Sequence, residues 1–222
     1  MKGIQIESRI YETPKTYDSV KCLCYEAVLK GFKSVQMFPC MVSMCHDILK
    51  DTDVVINALI DYPHGGFLTS QKVEEAKEAV ELGAKSVQVM MNTRKAKAQD
   101  FAYIENEMRA VKEALPAGTT VKFIIEIEYL TDDEIKSVCD AAVKAGIDYI
   151  SMSSGLYHTL DENKNDVPLV AKVSDVKMLK ELLGGKVKIQ AEGYVNTKEA
   201  AEGLLEAGAD LVASEKAYEL VK

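Results

Sequence analysis

No stretch of this 222-residue chain is rich in proline, glycine and serine together, so nothing marks a flexible linker. One folded unit over residues 1–222 is the expectation. There is no run of about 18 apolar residues of the kind that crosses a bilayer, and MKGIQIESRI at the amino end has no apolar segment leading to a cleavage site. The chain therefore reads as neither secreted nor membrane-embedded, and a cytoplasmic location follows. Clusters of basic residues are missing too. A formal charge of −8 without such a cluster argues against nucleic acid or an anionic membrane as partner. Cysteine is sparse and odd in number, five in all, which suits buried thiols in a reducing compartment better than a disulfide framework. The one spacing that hints at metal, Cys40-x4-Cys45-His46, lacks a second ligand pair, so neither a metal nor a cofactor is expected.

Against these absences, 47% hydrophobic content is enough for a sizeable core, and one stretch shows how it is arranged. Residues 120–156, TVKFIIEIEYLTDDEIKSVCDAAVKAGIDYISMSSGL, read as strand, helix and strand. The strand over 120–127 is apolar except for Lys122 and Glu126, whose shared parity points both side chains to one face. Thr131 with Glu134 three residues on makes a capping box, and Ile135, Val138, Cys139, Ala142 and Val143 form the apolar stripe of the helix. Gly146 supplies the left-handed stop before Tyr149 and Ile150 open the next strand, which implies a right-handed parallel crossover.

The same pattern recurs. AVLKGFKSVQ (27–36), AVELGAKSVQ (79–88), AVKAGIDYIS (142–151) and LLEAGADLVA (204–213) are each a helix tail, a stop glycine and a short strand. The glycines, Gly31, Gly83, Gly146 and Gly208, are 52, 63 and 62 residues apart, roughly twice a βα unit, so each interval holds one further strand and helix. Those strands are legible near 51–60, 120–127 and 186–191, with 3–8 opening the series. Helices are expected near 16–30, 41–49, 69–82, 100–115, 131–145, 174–184, 197–207 and 215–221. Eight strands alternating with helices describe a (β/α)8 TIM barrel. The competing doubly wound sheet is disfavoured because no GxGxxG follows the first strand. The polar stretch 157–173 after the sixth strand is an extended loop, either a solvated insertion or a lid or partner surface.

In such a barrel a ligand meets the carboxyl ends of the strands. The polar residues there include Gln36, Gln88, Asn92, Lys122, Glu126, Ser151, Ser153, Ser154 and Gln190. Gln36, Gln88 and Gln190 stand in parallel phrases, KSVQMF, KSVQVMM and VKIQAE. Amides donate and accept without exchanging protons near neutral pH, so the three either hold a neutral polar ligand or fill the middle of the barrel by bonding to one another. His64, in the turn YPHGG after the third strand, is either a ligand contact or a surface histidine, and nothing gives His158 a partner. The methionines at 37, 41, 44, 90 and 91 read as core filling.

Taken together, TVKFIIEIEYLTDDEI, VKAGIDYISMSSG and VKIQAEGYVNTKEAAEGLLEAGAD resemble the deoxyribose-phosphate aldolase family in order and spacing, over nearly the whole chain. The resemblance implies a (β/α)8 barrel, carbon–carbon lyase activity through a Schiff-base lysine, a sugar or aldehyde substrate and assembly into homo-oligomers. It also shows where this chain departs. The family's K-T-S-T-G phrase on the sixth strand matches Ser151-Met152-Ser153-Ser154-Gly155, so a hydroxyl stands where the iminium-forming amine would be. K-A-S-G-G on the seventh strand matches Gln190-Ala191-Glu192-Gly193-Tyr194, and the fourth-strand aspartate matches Gln88, although Asn92 of that phrase is kept. No lysine lies between Asp148 and Tyr157.

The family's phosphate cradle of backbone amides is altered as well, with Gly193-Tyr194 and Ser214-Glu215-Lys216 in its place. Lys122 matches a lysine that the family also carries on its fifth strand. It is either a replacement nucleophile, as a desolvated lysine can be, or half of a structural ion pair with Glu126. The expectation is thus an aldolase-like barrel that is silent in Schiff-base chemistry and binds a small polar molecule at its mouth, with Gln36, Gln88, Asn92, Ser151, Ser153, Gln190, Tyr194 and Ser214 as contacts. The alternatives are an enzyme of sugars or aldehydes using Lys122 or Glu126, and a non-catalytic oligomeric scaffold acting through 157–173.

Overall fold

A computed structural model describes residues 5–9, 16–160 and 162–221. Strands β1 (Ile6–Arg9), β2 (Ser34–Met37), β3 (Val55–Ile60), β4 (Ser86–Met90), β5 (Thr120–Ile124), β6 (Tyr149–Ser151), β9 (Lys188–Ala191) and β10 (Leu211–Ser214) close into one barrel, in the order β1-β10-β9-β6-β5-β4-β3-β2. Every neighbouring pair is parallel. The chain forms a (β/α)8 TIM barrel, whose seventh and eighth strands are β9 and β10. Of the expected first strand, residues 3 and 4 lie outside the described residues.

Helices α1 (Tyr17–Lys30), α2 (Val42–Leu49), α3 (Thr69–Glu81), α5 (Phe101–Ala114), α6 (Asp132–Ala145), α7 (Val173–Leu183), α8 (Lys198–Ala207) and α9 (Ala217–Leu220) surround it. The capping logic holds in detail at α6. Thr131 Oγ1 accepts from the Glu134 amide, Glu134 Oε2 accepts from the Thr131 amide at 2.8 Å, and Gly146 ends the helix at φ 70°. Two features carry no strong sequence signal: a single-turn helix α4 (Thr93–Lys97), capped by Asn92, and a small antiparallel hairpin, β7 (His158–Leu160) with β8 (Asp166–Pro168). The hairpin lies within the loop expected over 157–173.

Outward-facing strand residues such as Val35, Ile56, Val87, Phe123, Ile150, Ile189 and Val212 pack against the helices in one continuous core. A second, smaller apolar group, Leu59, Met90 and Ile124 with Phe38 and Tyr62 against it, lies apart from that core. No helix among the described residues is long and apolar enough to cross a membrane.

Where α3 and α5 meet the ends of β3 and β4, a lysine is fully buried. Lys72 Nζ pairs with Glu107 at 2.8 Å and Asp61 at 3.3 Å, and donates to the carbonyls of Met90 at 2.7 Å and Gly65 at 3.3 Å. Glu107 in turn accepts from the Asn92 amide, and Asp61 from the Phe67 amide. One ammonium therefore pins both the turn 61–67 and the start of α4. Gly65, at φ 62°, fits there because a Cβ would come within 2.2 Å of the Met91 carbonyl oxygen.

Removing one partner of a buried pair leaves the other charge uncompensated, so Lys72→Met is expected to lose about 3–5 kcal/mol of stability in urea denaturation. The loss should be smaller at pH 5 than at pH 8, because the orphaned carboxyls can take up protons at the lower pH. A loss independent of pH would show that packing, not charge, is what Lys72 contributes.

Candidate functional site

The interior of the barrel is polar and closed. Lys122 Nζ lies 2.8 Å from Glu7 Oε2 and donates to Gln190 Oε1 at 2.7 Å. Glu7 also accepts from Ser34, from Asn57 at 3.1 Å and from Gln190 at 3.0 Å. Gln88 Oε1 accepts from Gln36 and from Asn57, each at 2.8 Å, while its amide nitrogen donates to Glu192 at 2.6 Å. Glu192 pairs with Arg9 at 2.7 Å and accepts from Gln190 at 2.8 Å and from the Ser151 hydroxyl. Arg9 continues to Gln36 Oε1 at 2.9 Å. Among the described residues two carboxylates, two cations and the amides between them thus join opposite sides of the lumen into a single network, all of it buried.

Gln36, Gln88 and Gln190 are bonded to one another and to carboxylates, and like Ser151 they have none of their surface exposed. Asn92 is spent on capping, its Oδ1 accepting from the Lys95 amide. Ser214 donates to the Val195 carbonyl at 2.6 Å, and Tyr194 stands 44% exposed at the rim. The space remaining beside Tyr194, Asn196, Ser214 and Glu215 is about 10 Å³. That is room for about one water and not for a phosphate.

The expected Lys122–Glu126 pair does not form. β5 ends at Ile124, and Glu126 adopts a left-handed conformation, φ 51°, which breaks the alternation that would have placed the two side chains together. Lys122 finds Glu7 instead. Glu126 turns to the start of the segment after β6, accepting from the Ser154 amide at 3.0 Å and from Ser153 Oγ at 3.4 Å. Burial pushes its carboxyl up to about 7, outweighing the hydrogen bonds from Ser154. Glu128, two residues on, is pushed up to about 7 by burial as well.

Asp61, Glu126 and Tyr194 share a peculiarity: each is a non-glycine residue at positive φ, and each follows the end of a barrel strand. Such conformations persist where surrounding structure over-determines them, and they gather at functional sites. They mark the carboxyl-end mouth. The open space at that mouth is a cavity of about 550 Å³ lined by His64, Thr93, Arg94, Lys97, Tyr129 and Tyr157. Tyr129 and Tyr157 meet edge to face, centroids 4.9 Å apart. Burial raises both phenols above the usual tyrosine range, and the charge of Glu126 adds to the rise. Of the cavity residues the sequence pointed only to His64. Arg94, Lys97 and Tyr129 sit on short turns without motif, and Glu7, Arg9, Asn57 and Glu192 in the lumen were missed, although a charged pair inside the apolar first strand was a signal available for Glu7 and Arg9.

A closed parallel barrel with a cavity at the carboxyl ends of its strands places the chain in the broad class of (β/α)8 barrels. Comparison with known proteins narrows this. Residues 6–142 match the model of the DeoC/LacD family aldolases, and the chain belongs to that family. It is 34% identical to deoxyribose-phosphate aldolase 1 of Bacillus licheniformis, over 98% of this chain and 95% of the relative. It is 31% identical to the deoxyribose-phosphate aldolase of Finegoldia magna, over 98% and 97%. In fold it matches an aldolase, QR15, with a TM-score of 0.89 at 24% identity, over 99% of this chain and 93% of that one. The tetrameric deoxyribose phosphate aldolase of Aeropyrum pernix gives a TM-score of 0.87 at 22% identity, over 99% and 88%.

The raised carboxyl of Glu126 has a thermodynamic consequence. A folded-state value above the unfolded one means that the folded protein holds the proton more tightly, so the contribution to stability is full at low pH and is lost as pH rises through about 7. Relative to Glu126→Gln, the wild type is expected to lose on the order of 3 kcal/mol between pH 5 and pH 8. Parallel urea-denaturation curves for the two proteins across that window would contradict this.

Proposed function

We propose that this chain is a deoxyribose-phosphate-aldolase-like barrel that does not form a Schiff base and that binds a small polar molecule at its mouth. The observation that carries the reading is the surroundings of Ser151. At the position matching the family's iminium lysine, a hydroxyl is tied to Glu192. The lysine that does reach the lumen, Lys122, is held between Glu7 and Gln190. A nucleophilic amine must be free to approach a carbonyl, and the Lys122 nitrogen is instead engaged by a buried carboxylate and an amide oxygen. The family's second cation is answered by Gln190 and its aspartate by Gln88, so the proton shuttle of that chemistry has no donor or base at the matching places.

Incubation with deoxyribose 5-phosphate and borohydride, read by intact mass, is expected to give no covalent adduct; a labelled lysine, Lys122 above all, would sink the reading. Ser151→Lys alone is expected to leave trapping at background, because the new amine faces Glu192 and stays protonated. Adding Glu192→Ser leaves Arg9 as a neighbouring cation, and each unit by which it lowers the amine's pKa raises the reactive fraction about tenfold. Equal trapping by the single and double variants would remove the electrostatic argument.

A second reading has one observation in its favour. Glu126, with its carboxyl raised to about 7 behind Tyr129 and Tyr157, is poised as a general acid or base for other chemistry on a sugar or aldehyde at the mouth. Assembly with copies of itself fits either reading, given the tetrameric relative of Aeropyrum pernix and the exposed Tyr17, Tyr25 and Leu29 on α1.

A further inference from the structure

The six residues around the mouth cavity define which small molecule it takes. Among the described residues lining it there is no carboxylate, while Arg94 and Lys97 bring two cations. Lys97 is matched by Glu134 at 2.8 Å and also donates to the Tyr129 carbonyl. Arg94 is different: among the described residues its one hydrogen bond is to the His64 carbonyl, at 3.3 Å, and no carboxylate pairs with it. Arg94 and Tyr157 line the same cavity. The phenol oxygens of Tyr129 and Tyr157 likewise have no hydrogen-bond partner among the described residues, although the two rings fix each other. A volume of about 550 Å³ is that of a small-molecule site.

We propose that this cavity is an oxyanion site: it binds a small organic anion, a carboxylate or phosphate ester, whose charged end is held by Arg94 and whose body lies against Tyr129 and Tyr157. The inference rests on the reading of the mouth as a ligand site and gives that ligand a charge. A planar guanidinium matches both oxygens of such a group in two parallel hydrogen bonds, and phenols offer an apolar wall with a polar tip. The place is across the mouth from β9 and β10, where the residual space beside Tyr194 and Ser214 is about 10 Å³. The anion-binding function has thus moved from the turns after β9 and β10 to those after β3, β4, β5 and β6.

The test titrates the whole protein with inorganic phosphate, ribose 5-phosphate, gluconate and unphosphorylated ribose, by calorimetry at low and high salt. Tyrosine emission gives a second readout, since the chain has no tryptophan. At least one of the three anions is expected to bind, more weakly as salt rises, and ribose 5-phosphate against gluconate decides between phosphate and carboxylate. Arg94→Gln, a change at an exposed side chain, should weaken that anion about tenfold or more. Lys216→Gln, on the far side of the mouth, should leave it unchanged. The proposal is overturned if none of the anions binds, if Arg94→Gln binds like wild type, or if Lys216→Gln loses binding in its place. Ribose binding with every anion silent would overturn it while sparing the broader reading of a small polar ligand. A borohydride adduct on a lysine would do the reverse.

Discussion

The pairing of Glu192 with Arg9 and of Glu7 with Lys122 inside the lumen is what the rest of the barrel is arranged around. Two carboxylates taken out of water are tolerated only if each is matched by a cation and its remaining lone pairs are filled. The lumen meets both conditions. Gln36, Gln88, Asn57 and Gln190 bridge the ion pairs, and Ser34 and Ser151 supply hydroxyls. The amides look like the chemical core of a binding site, yet they act as the wiring of an electroneutral plug. A network of this kind ties residues of non-adjacent strands together, so it fixes strand register as well as filling space.

Ser151 and Gln190 are both members of this network. An amine at Ser151 would face Glu192, and one at Gln190 would crowd Lys122, so either lysine would upset a charge balance that Arg9 and Lys122 already complete. Reactive lysines in aldolase chemistry need the opposite, an amine left short of counter-charge. The lumen here has been settled in favour of satisfied pairs. What remains strained lies higher, at Asp61, Glu126 and Tyr194, where the chain bends to the left as it leaves β3, β5 and β9.

Much of the frame was legible in advance because helix stops and caps are local. Gly31, Gly146 and Gly208 each take the left-handed cap that their place in the repeat implied, and Thr131 with Glu134 forms the box that its spacing implied. The site was less legible because its determinants are not local. Glu7 and Gln190 meet across 183 positions of sequence, and Gln88 and Glu192 across 104. Parity along β5 misled for a related reason. Alternation holds only while the strand lasts, and β5 stops at Ile124, two residues before Glu126. The single turn α4 escaped notice because its sequence, TRKAK, is too short and too polar to show a helical stripe, and it is that turn which brings Arg94 and Lys97 to the cavity.

Two functions that share one chamber in a Schiff-base aldolase are separable in this chain. Among the described residues the lumen pairs its charges, whereas the mouth cavity is lined by cations without a carboxylate. Lys72 is the joint between the pieces of that mouth: through Asp61 and the Gly65 carbonyl it holds the turn that carries His64, and through Glu107 it reaches the amide of Asn92, which caps the turn carrying Arg94. A buried ion cluster is a poor source of net stability. Its position here gives it a different use, since the two turns whose His64 carbonyl and Arg94 guanidinium meet at 3.3 Å are both anchored to the same ammonium. The placing of the cation at the mouth is thus tied to a lysine that is itself fully buried in the wall of the barrel.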